Sequence, residues 1–483
     1  MICVFFAVWP LFAISKPVVS ATHPPLRSRL AAVNSERVCK YRIFLGKYKE
    51  LRPKFIYLHE SSGAFRTPVA AYIIIWCAAV PDPNESLKNR NGMKQIFALL
   101  LALGTLCTLS ARTLKCSYRV TVAGSRPECP VVIRDVPGWA RSAVVSSEGS
   151  RQIPSQLDER LGELVFVADI SGARDFRVVY SSEPDKRVFK SRVHAQMWLK
   201  NPDKSLRAAD TLSSTQNDMY HKLHHHGPAF ESEYAAYRIY FDNKQTIDTY
   251  GKKRPRLELA ETMWYPSDEQ LAAGYGHDNL RVFGSVGVGT LKGWDAGKKK
   301  MVHIADFRRR EARILAKGPV RTIVEMRVEG WRYGGREIDM TSRYILYAGH
   351  SDVQVENLIE GDSEGLVFTT GVMKMAENRV CRQDGIIVAF GQDYPENDTL
   401  KWEKERVGLA VAVPQEQAVS QIDDKTSYLF QLVPDARGHI DYVFDTRWRK
   451  SEWLEGRSDA ECAEELAESV RAARTAAVVS RIR

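Results

Sequence analysis

The chain has 483 residues, of which 44% are hydrophobic, so it is long enough and apolar enough to bury the core of one large domain or several ordinary ones. Its formal net charge of +10 raises the question of a nucleic-acid partner. Residues 1–111 carry a net charge of +9, which leaves +1 for the rest of the chain. Because that remainder is nearly neutral and shows no nucleic-acid motif, we predict no nucleic-acid partner.

A short apolar segment lies at residues 93–111. It begins with Met93 and Lys94, continues through apolar residues to Leu109, and ends with the small residues Ser110 and Ala111. This layout is typical of a secretory signal peptide, and the segment is too short to span a membrane. We therefore predict export to the periplasm or the medium, and no membrane span in the mature protein.

The residues before this segment show neither regular periodicity nor helix-capping patterns. Because a signal peptide begins a protein, we interpret residues 1–92 as a disordered, non-native upstream extension, with translation starting at Met93. Two alternatives stay open, a signal at residues 2–21 and a membrane segment at residues 67–80. The first lacks a basic start, and the second is shorter than the roughly 20 residues of a spanning helix.

Short alternating or apolar runs separated by turn residues fill the rest of the chain. They predict a small N-terminal β unit at residues 112–182 and a body at residues 190–457. The predicted body strands include residues 321–329, 340–346, 353–359, 366–372, 385–390, 407–413, 427–432 and 441–444. Since no long helical period interrupts them, the pattern predicts an all-β fold with a large antiparallel sandwich. A capping box at Ser458 and Glu461 predicts a C-terminal helix at residues 458–475.

The cysteines after the signal peptide leave two interpretations open. Cys116 and Cys129 flank a predicted hairpin, and an oxidising compartment would permit a disulfide between them. Free thiols are an equally good interpretation, since a domain of this size needs no covalent cross-link. No C-x-x-C pair is present in the sequence, so neither a structural zinc site nor a redox pair is predicted.

Residues 221–253 concentrate histidines, acids, tyrosines and an arginine around one predicted strand. Alternation from Glu233 to Phe241 predicts a half-buried strand, because successive side chains point to opposite faces. One face carries the core candidates Tyr237, Ile239 and Phe241. The other carries polar-tipped side chains that a sugar-sized ligand would meet, namely Tyr234, Arg238 and Tyr240.

Three segments together resemble a known family. They are IPSQLDERLGELVFVADI (residues 153–170), ESEYAAYRIYFDNKQTIDTYGKK (residues 231–253) and GYGHDNLRVFGSVGVGTLKGWD (residues 274–295). Over residues 113–449 the chain resembles a family of exported bacterial proteins catalogued as domain of unknown function 4861. The resemblance implies a galactose-mutarotase-like β-supersandwich and an association with systems that degrade pectin-like acidic polysaccharides. It supplies no catalytic residues, so their roles are assigned from chemistry.

The residue types present in residues 221–253 suit β-elimination of a uronic-acid polysaccharide or oligosaccharide. That reaction needs a cation on the carboxylate, a base for the C5 proton and an acid for the leaving oxygen. The predicted cation is Arg238, whose planar fork matches a carboxylate. The predicted base is His226 or His277, and the predicted acid is Tyr234 or Tyr240. Predicted substrate contacts are the loop-edge aromatics Trp264 and Trp294 and the polar residues Glu233, Tyr250 and Lys252.

Other interpretations of the same residues stay open. No cofactor is predicted, and a divalent metal held by His224, His226 and Glu231 or Glu233 is less favoured, because the spacing is not a standard ligand pattern. Solvated loop histidines and an Arg238 paired with a nearby acid are the structural alternatives. A non-catalytic carbohydrate-binding protein is the main functional alternative. A glycoside hydrolase, which needs two facing carboxyl groups, or an epimerase comes third.

Overall fold

The computed structural model describes residues 111–147 and 152–482, together with three short strands, β1 (Arg42–Leu45), β2 (Phe55–His59) and β3 (Ile73–Ile74). The chain divides into two compact units, Met1–Leu109 and Ser110–Arg483. In the first unit, β1, β2 and β3 form an antiparallel sheet. The predicted upstream extension and nearly all of the predicted signal peptide otherwise lie outside the described residues.

The second unit begins with a six-stranded sheet. Its strands are β4 (Thr113–Ile133), β5 (Ser142–Ser147), β6 (Gln152–Ile153), β7 (Ser155–Asp158), β8 (Glu163–Ser181) and β30 (Val478–Arg481). The long strands β4 and β8 pair antiparallel, and apolar side chains such as Val120, Phe166 and Val178 form its core. The last strand, β30, pairs with β4, so the end of the chain returns to this sheet.

A nine-stranded antiparallel sheet forms one layer of the body. In order across the sheet its strands are β12 (Thr211–Ser214), β19 (Arg309–Lys317), β20 (Arg321–Tyr333), β21 (Arg336–Tyr347), β22 (Val353–Gly361), β29 (His439–Trp448), β26 (Glu405–Ala412), β25 (Ile386–Asp393) and β24 (Ala376–Gln383). Alternate side chains face the two sides of the sheet. Ile387 and Ala389 enter the main core, whereas Ile386 and Val388 face away from it.

Two five-stranded sheets form the opposite layer. The first contains β16 (His277–Asp278), β15 (Ile247–Gly251), β14 (Ala235–Ile239), β13 (Ala229–Ser232) and β9 (Val193–Gln196), and the second β18 (Lys300–Val302), β17 (Lys292–Asp295), β23 (Phe368–Met373), β28 (Ser427–Leu432) and β27 (Ala418–Asp423). The side chains of the main core lie between the two layers and join them. For example, the Tyr237 ring on β14 lies 5.2 Å from the Phe444 ring on β29. A hairpin of β10 (Trp198–Lys200) and β11 (Leu206–Ala208) stands apart.

Helices are few in the described ranges. They are α1 (Leu259–Thr262), α2 (Asp268–Ala272) and α3 (Asp459–Ala473), with single 3-10 turns at Tyr220–Lys222, Gln415–Gln417 and Glu452–Leu454. The predicted capping box opens α3, since Ser458 accepts from the Glu461 N–H and Glu461 accepts from the Ser458 N–H. Leu466 and Val470 of α3 pack on the outer side of the nine-stranded sheet. No helix in the described part of the chain is long and apolar enough to cross a membrane.

These elements confirm the predicted fold class: a large antiparallel β-supersandwich with a small N-terminal β unit and a short C-terminal helix. Cys116 and Cys129 are both buried in the N-terminal sheet, and both are free thiols. Of the two interpretations of these cysteines, the structure therefore agrees with free thiols.

Candidate functional site

Strand β14 separates a core face from an outer face of its five-stranded sheet. Tyr237 and Ile239 point into the main core, as predicted, and Arg238 points to the other side. The strand spans Ala235–Ile239, shorter than the predicted residues 233–241, because the chain bends at Glu233 and Tyr234 between β13 and β14. The outer face is covered by residues of the α1 region, so the side chains on it are buried rather than open to water.

Arg238 is the centre of a charge network on this outer face. Its Nε and Nη2 donate to Asp248 Oδ2 at 3.0 and 2.6 Å, and Nη2 also donates to Asp278 Oδ2 at 2.7 Å. Nη2 lies 2.7 Å from the Tyr240 hydroxyl, which itself donates to Asp248 Oδ2 at 2.7 Å. The remaining nitrogen, Nη1, donates to the Tyr265 hydroxyl oxygen at 3.1 Å. All three guanidinium nitrogens are therefore engaged within the protein.

Trp264 completes the enclosure of Arg238. The guanidinium carbon lies 4.5 Å from the indole centroid, a cation–π contact, and the indole N–H donates to Asp278 Oδ2 at 3.1 Å. Burial and the neighbouring Asp248 carboxylate raise the pKa of Asp278 well above its ordinary value. Two buried carboxylates thus share one arginine, and the raised pKa of Asp278 favours its protonated form.

These contacts correct two predictions. Arg238 was expected to bind a substrate carboxylate, but it is only 4% exposed and two protein carboxylates already neutralise it. Trp264 was expected at an exposed loop edge, but it is fully buried against Arg238 and Tyr250. Of the alternatives set out from the sequence, pairing of Arg238 with a nearby acid is the one observed.

The open side of the network is formed by Tyr265 and His226. Tyr265 is 41% exposed, and its hydroxyl lies 3.1 Å from His226 Nε2. His226 Nδ1 lies 2.9 Å from the Tyr220 carbonyl oxygen, which can only accept, so Nδ1 carries the hydrogen. In the neutral ring Nε2 then accepts, and the Tyr265 O–H donates to it. The His226 ring also stacks on Tyr220, with the centroids 3.6 Å apart.

Burial lowers the pKa of His226 to about 4, with the charges of Arg238 and Lys200 acting in the same direction. Burial raises the pKa of Tyr265, whereas the charge of Arg238 and its hydrogen bond oppose that rise. Near neutral pH the pair therefore consists of an uncharged imidazole and a protonated phenol joined by a hydrogen bond. In this pair the phenol is the donor and the imidazole nitrogen is the acceptor.

Backbone strain collects at the same place. The backbone φ angles of His226, Met263 and Trp264 are 67°, 51° and 76°. These angles lie in the left-handed region, which residues other than glycine rarely adopt. Each such residue costs on the order of 1–3 kcal/mol and persists where the surrounding contacts fix it, a pattern concentrated at functional sites. His226 and Trp264 are held by the Tyr220 stack and the Arg238 contact described above.

Predicted substrate contacts on the same outer face form a second buried network. Lys252 donates to Glu231 Oε2, and both side chains are fully buried. The Glu231 carboxylate also accepts the backbone N–H groups of Glu258 and Leu259 at the start of α1. Tyr250 donates to Glu258 Oε2 at 2.9 Å and is fully buried. Lys252 and Tyr250 thus anchor the α1 segment to the sheet, which corrects their predicted contact with substrate.

The other two predicted substrate contacts also lie away from the open side. Glu233 pairs with Arg192 and accepts the Gly349 N–H at 3.0 Å. Trp294 is on β17 in the second five-stranded sheet, is 9% exposed, and packs with Val286 and Leu429. Neither is the exposed cleft side chain that the sequence predicted.

Tyr234 and His277 are separated from Arg238. Tyr234 lies in the bend before β14, with its ring 5.2 Å from the Trp453 ring in an edge contact. On β16, Asp278 faces Arg238, and His277, the preceding residue, faces the other way. His277 Nε2 lies 3.5 Å from Glu405, and Trp402 and Trp448 flank the ring. Of the five predicted catalytic residues, the structure thus brings together Arg238, Tyr240 and His226.

The side chains of the less favoured metal interpretation are not assembled. Glu231 and Glu233 are bound to Lys252 and Arg192, respectively. Among residues 111–147 and 152–482, no group of three or more His, Cys, Asp or Glu side chains is placed to hold a metal ion. His224 instead contacts Tyr265, with the ring centroids 5.6 Å apart.

The sequence analysis assigned no role at this site to Asp248, Asp278 or Tyr265. The turn at Asp242 to Lys244 held a signal for Asp248. Folding a hairpin about Asn243 places Arg238 directly opposite Asp248, and this is the observed register. Asp278 had no local signal, because it arrives through the pairing of β16 with β15.

Comparison with solved structures gives distant similarities. The chain is similar to a glycosyl hydrolase family 38 protein from Enterococcus faecalis, with 8% identity, a TM-score of 0.40, and coverage of 76% of this chain and 47% of that one. It is also similar to an alpha-mannosidase from Enterococcus faecalis V583, with 8% identity, a TM-score of 0.38, and coverage of 82% and 50%. The chain thus spans about half the length of these two proteins.

No protein of curated function matches the chain in sequence. The profile of one family, described as domain of unknown function (DUF4861), matches residues 132–461, more than half of the chain. The chain therefore belongs to the DUF4861 family, as the three sequence segments predicted.

Proposed function

We propose that this protein is an exported carbohydrate-active enzyme that cleaves a uronic-acid-containing polysaccharide or oligosaccharide by β-elimination, with His226 and Tyr265 moving the protons. The observation that carries the proposal is the hydrogen-bonded Tyr265–His226 pair, backed by Arg238, at the open side of an otherwise buried charge network. Export from a signal peptide at residues 93–111 is part of the proposal, since it would bring the enzyme to such a substrate.

His226 has the properties of a general base. Its pKa of about 4 keeps the ring uncharged at neutral pH, so Nε2 has a lone pair, which becomes free for a substrate proton when the Tyr265 O–H turns from it to the leaving oxygen. The hydrogen bond from Nδ1 to the Tyr220 carbonyl fixes which nitrogen that is. The Tyr220 stack fixes the ring plane, so the lone pair has a defined direction. In the proposed reaction, Nε2 accepts the C5 proton of the uronic acid.

Tyr265 has the properties of the matching acid. As the C5–H electrons form the C4–C5 double bond, the C4–O bond breaks and the leaving oxygen takes the phenolic proton. The resulting phenolate lies 3.1 Å from Arg238 Nη1, whose charge stabilises it. His226 then returns its proton to Tyr265 through their hydrogen bond, which resets both groups. The C5 proton is thereby transferred, in net terms, to the leaving group.

The role of Arg238 changes accordingly. Asp248 and Asp278 hold the guanidinium in place, and its remaining nitrogen points at Tyr265. We propose that Arg238 stabilises charge on the phenol oxygen and positions it. Tyr240 does not take the role of the base His226 or of the acid Tyr265, because its hydroxyl is already hydrogen-bonded to both Arg238 and Asp248.

A second function is a carbohydrate-binding protein without chemistry. The observation that favours it is the exposed ring of Tyr265, 41% accessible, which offers a flat apolar surface with a polar tip for a sugar ring. The two functions differ in whether a C4–O bond is broken, so a product assay separates them.

The experiment is to incubate the purified protein with a panel of uronic-acid polysaccharides and to follow the ultraviolet absorbance of unsaturated products. We expect turnover by the wild type and its loss, by about 100-fold or more, in His226→Gln and in Tyr265→Phe. Both variants keep the size of the side chain and remove its proton-transfer atom. The matched controls are His221→Gln, an exposed histidine on the same segment, and Tyr275→Phe, whose hydroxyl contacts Glu261.

Absence of product from every polysaccharide, together with saccharide binding that is equal in all variants, would favour the binding protein. Turnover that survives Tyr265→Phe and His226→Gln would overturn the assignment of these residues.

A further inference from the structure

An enzyme that acts on an acidic sugar needs a cation near the substrate carboxylate, and Arg238 is already neutralised by Asp248 and Asp278. We infer that Lys200 and Lys222, on the segments beside Tyr265 and His226, form the subsite that binds the carboxylate of the sugar. This inference rests on the proposed function for the reaction but stands apart from it for binding, because the lysines would hold an acidic saccharide whether or not a bond is broken.

Backbone pairing brings the two lysines to the same place. Leu199 of β10 forms an antiparallel bridge with Leu223, and the His224 N–H donates to the Trp198 carbonyl at 2.9 Å. Lys200 and Lys222 are the neighbours of that bridged pair, at the opposite end of the pairing from His224 and Trp198. Leu199 and Leu223 pack on the main core, which fixes the bridge. Both lysines are exposed.

The same short segment connects the lysines to the proposed proton-transfer pair. His224 contacts the Tyr265 ring at 5.6 Å, and His226 follows two residues later. The positive charge of Lys200 reaches both imidazoles, since it contributes, after burial, to the lowered pKa of His224 and of His226. An anion bound by Lys200 would therefore lie within electrostatic reach of the proposed base.

Neither lysine has an anionic partner among the residues that the structure describes. Two other exposed lysines of the body do have one, since Lys317 pairs with Asp210 and Lys450 with Glu405. The nearest acids in sequence are used locally: the Asp203 carboxylate accepts from Ser205, and the Asp218 carboxylate accepts the Tyr220 N–H. Two like charges brought together by backbone pairing repel each other, and a bound carboxylate would relieve that repulsion.

Lysine suits this task chemically. A compact ammonium on a flexible stem can follow a carboxylate on a polymer that must slide and leave, whereas a fixed arginine fork is better suited to the static pair made by Arg238. Neutralising the carboxylate also makes the C5 proton easier to remove, because it stabilises the negative charge that develops next to it.

The test uses Lys200→Met, Lys222→Met and the double variant, with Lys425→Met as the control, an exposed lysine in the turn between β27 and β28. The probe is polygalacturonate, compared with its methyl ester, in which the carboxylates are uncharged. We expect the double variant to lose about tenfold in kcat/KM and in affinity for the acidic polymer, and to lose the salt dependence of binding. The Lys425→Met control should match the wild type on the acidic polymer and also on its ester.

Failure of this inference and failure of the proposed function are distinguishable. A double variant that turns over polygalacturonate as well as the wild type does overturns the lysine subsite and leaves the reaction standing. A wild type that binds but does not cleave the acidic polymer, with binding lost in the double variant, supports the subsite and contradicts the reaction. Equal affinity of all variants for the acidic polymer and its ester overturns the subsite whatever the activity.

Discussion

Replacing Arg238 with methionine removes the cation shared by two buried carboxylates. The Asp248 side chain is fully buried and that of Asp278 is 9% exposed, so water cannot take over the role of the guanidinium. Removal of one partner from a buried ion pair costs about 3–5 kcal/mol, because it leaves an uncompensated charge. Asp278 can escape part of this cost by taking up a proton, and Tyr240 still donates to Asp248. We therefore expect a loss of about 3–5 kcal/mol rather than twice that amount.

The assay is urea unfolding of wild type and Arg238→Met at matched pH, with Arg254→Met as the control. Arg254 pairs with Glu452, but the two side chains are 56% and 53% exposed, so the control should change the free energy of unfolding by less than about 1 kcal/mol. A loss in Arg238→Met no larger than in the control would refute the account of this network as a buried, mutually dependent set of charges.

The pH dependence of the variant follows from the same carboxylates. The Arg238 charge opposes the rise in the pKa of Asp278, so its removal raises that pKa further. Between the unfolded value of about 4 and the raised folded value, the folded variant binds a proton that the unfolded chain does not. Its free energy of unfolding must then decrease as pH rises through this window. We expect this decrease to continue to higher pH in Arg238→Met than in the wild type.

Three further outcomes are expected. Lys252→Met should lower the free energy of unfolding in urea by about 3 kcal/mol, because Glu231 stays buried without its cation. The loss is limited because Glu231 keeps two backbone N–H donors. A loss under about 1 kcal/mol would count against this explanation. Gly251→Ala should cost about 1–3 kcal/mol, since a Cβ would come within 2.5 Å of the Trp448 ring; unchanged stability would mean that this contact relaxes freely. If His226 is the base, kcat/KM on an acidic substrate should fall on acidification only near pH 4, because protonation of His226 there removes the lone pair; a fall near its ordinary value of about 6.5 would point to another base.

The fold could be predicted from the sequence where the pattern is local. Alternation along β14 placed Tyr237 and Ile239 in the core and Arg238 on the other face, and the structure confirms this. The capping box at Ser458 and Glu461 likewise predicted the start of α3. The short strand β30 was missed, because Val478–Arg481 gains its stability from pairing with β4, more than 350 residues earlier in the chain.

The site was harder to predict because it depends on burial by distant segments. Trp264 and Lys252 are of residue types that often contact sugar ligands. Residues of the α1 region, however, fold over the outer face of the sheet and bury both side chains. His277 and Asp278 are adjacent in sequence, yet strand alternation sends them to different clusters. Tyr265 stood out only as an aromatic side chain, since its contact with His226 needs the loop after α1 to meet the loop before β13.

The most direct measurement is digestion of polygalacturonate in water enriched in oxygen-18, with mass analysis of the products. β-Elimination breaks the C4–O bond without water, so the account predicts unsaturated products that carry no solvent oxygen, and their loss in Tyr265→Phe. Products that incorporate one solvent oxygen would show hydrolysis instead and would contradict the proposed roles of His226 and Tyr265.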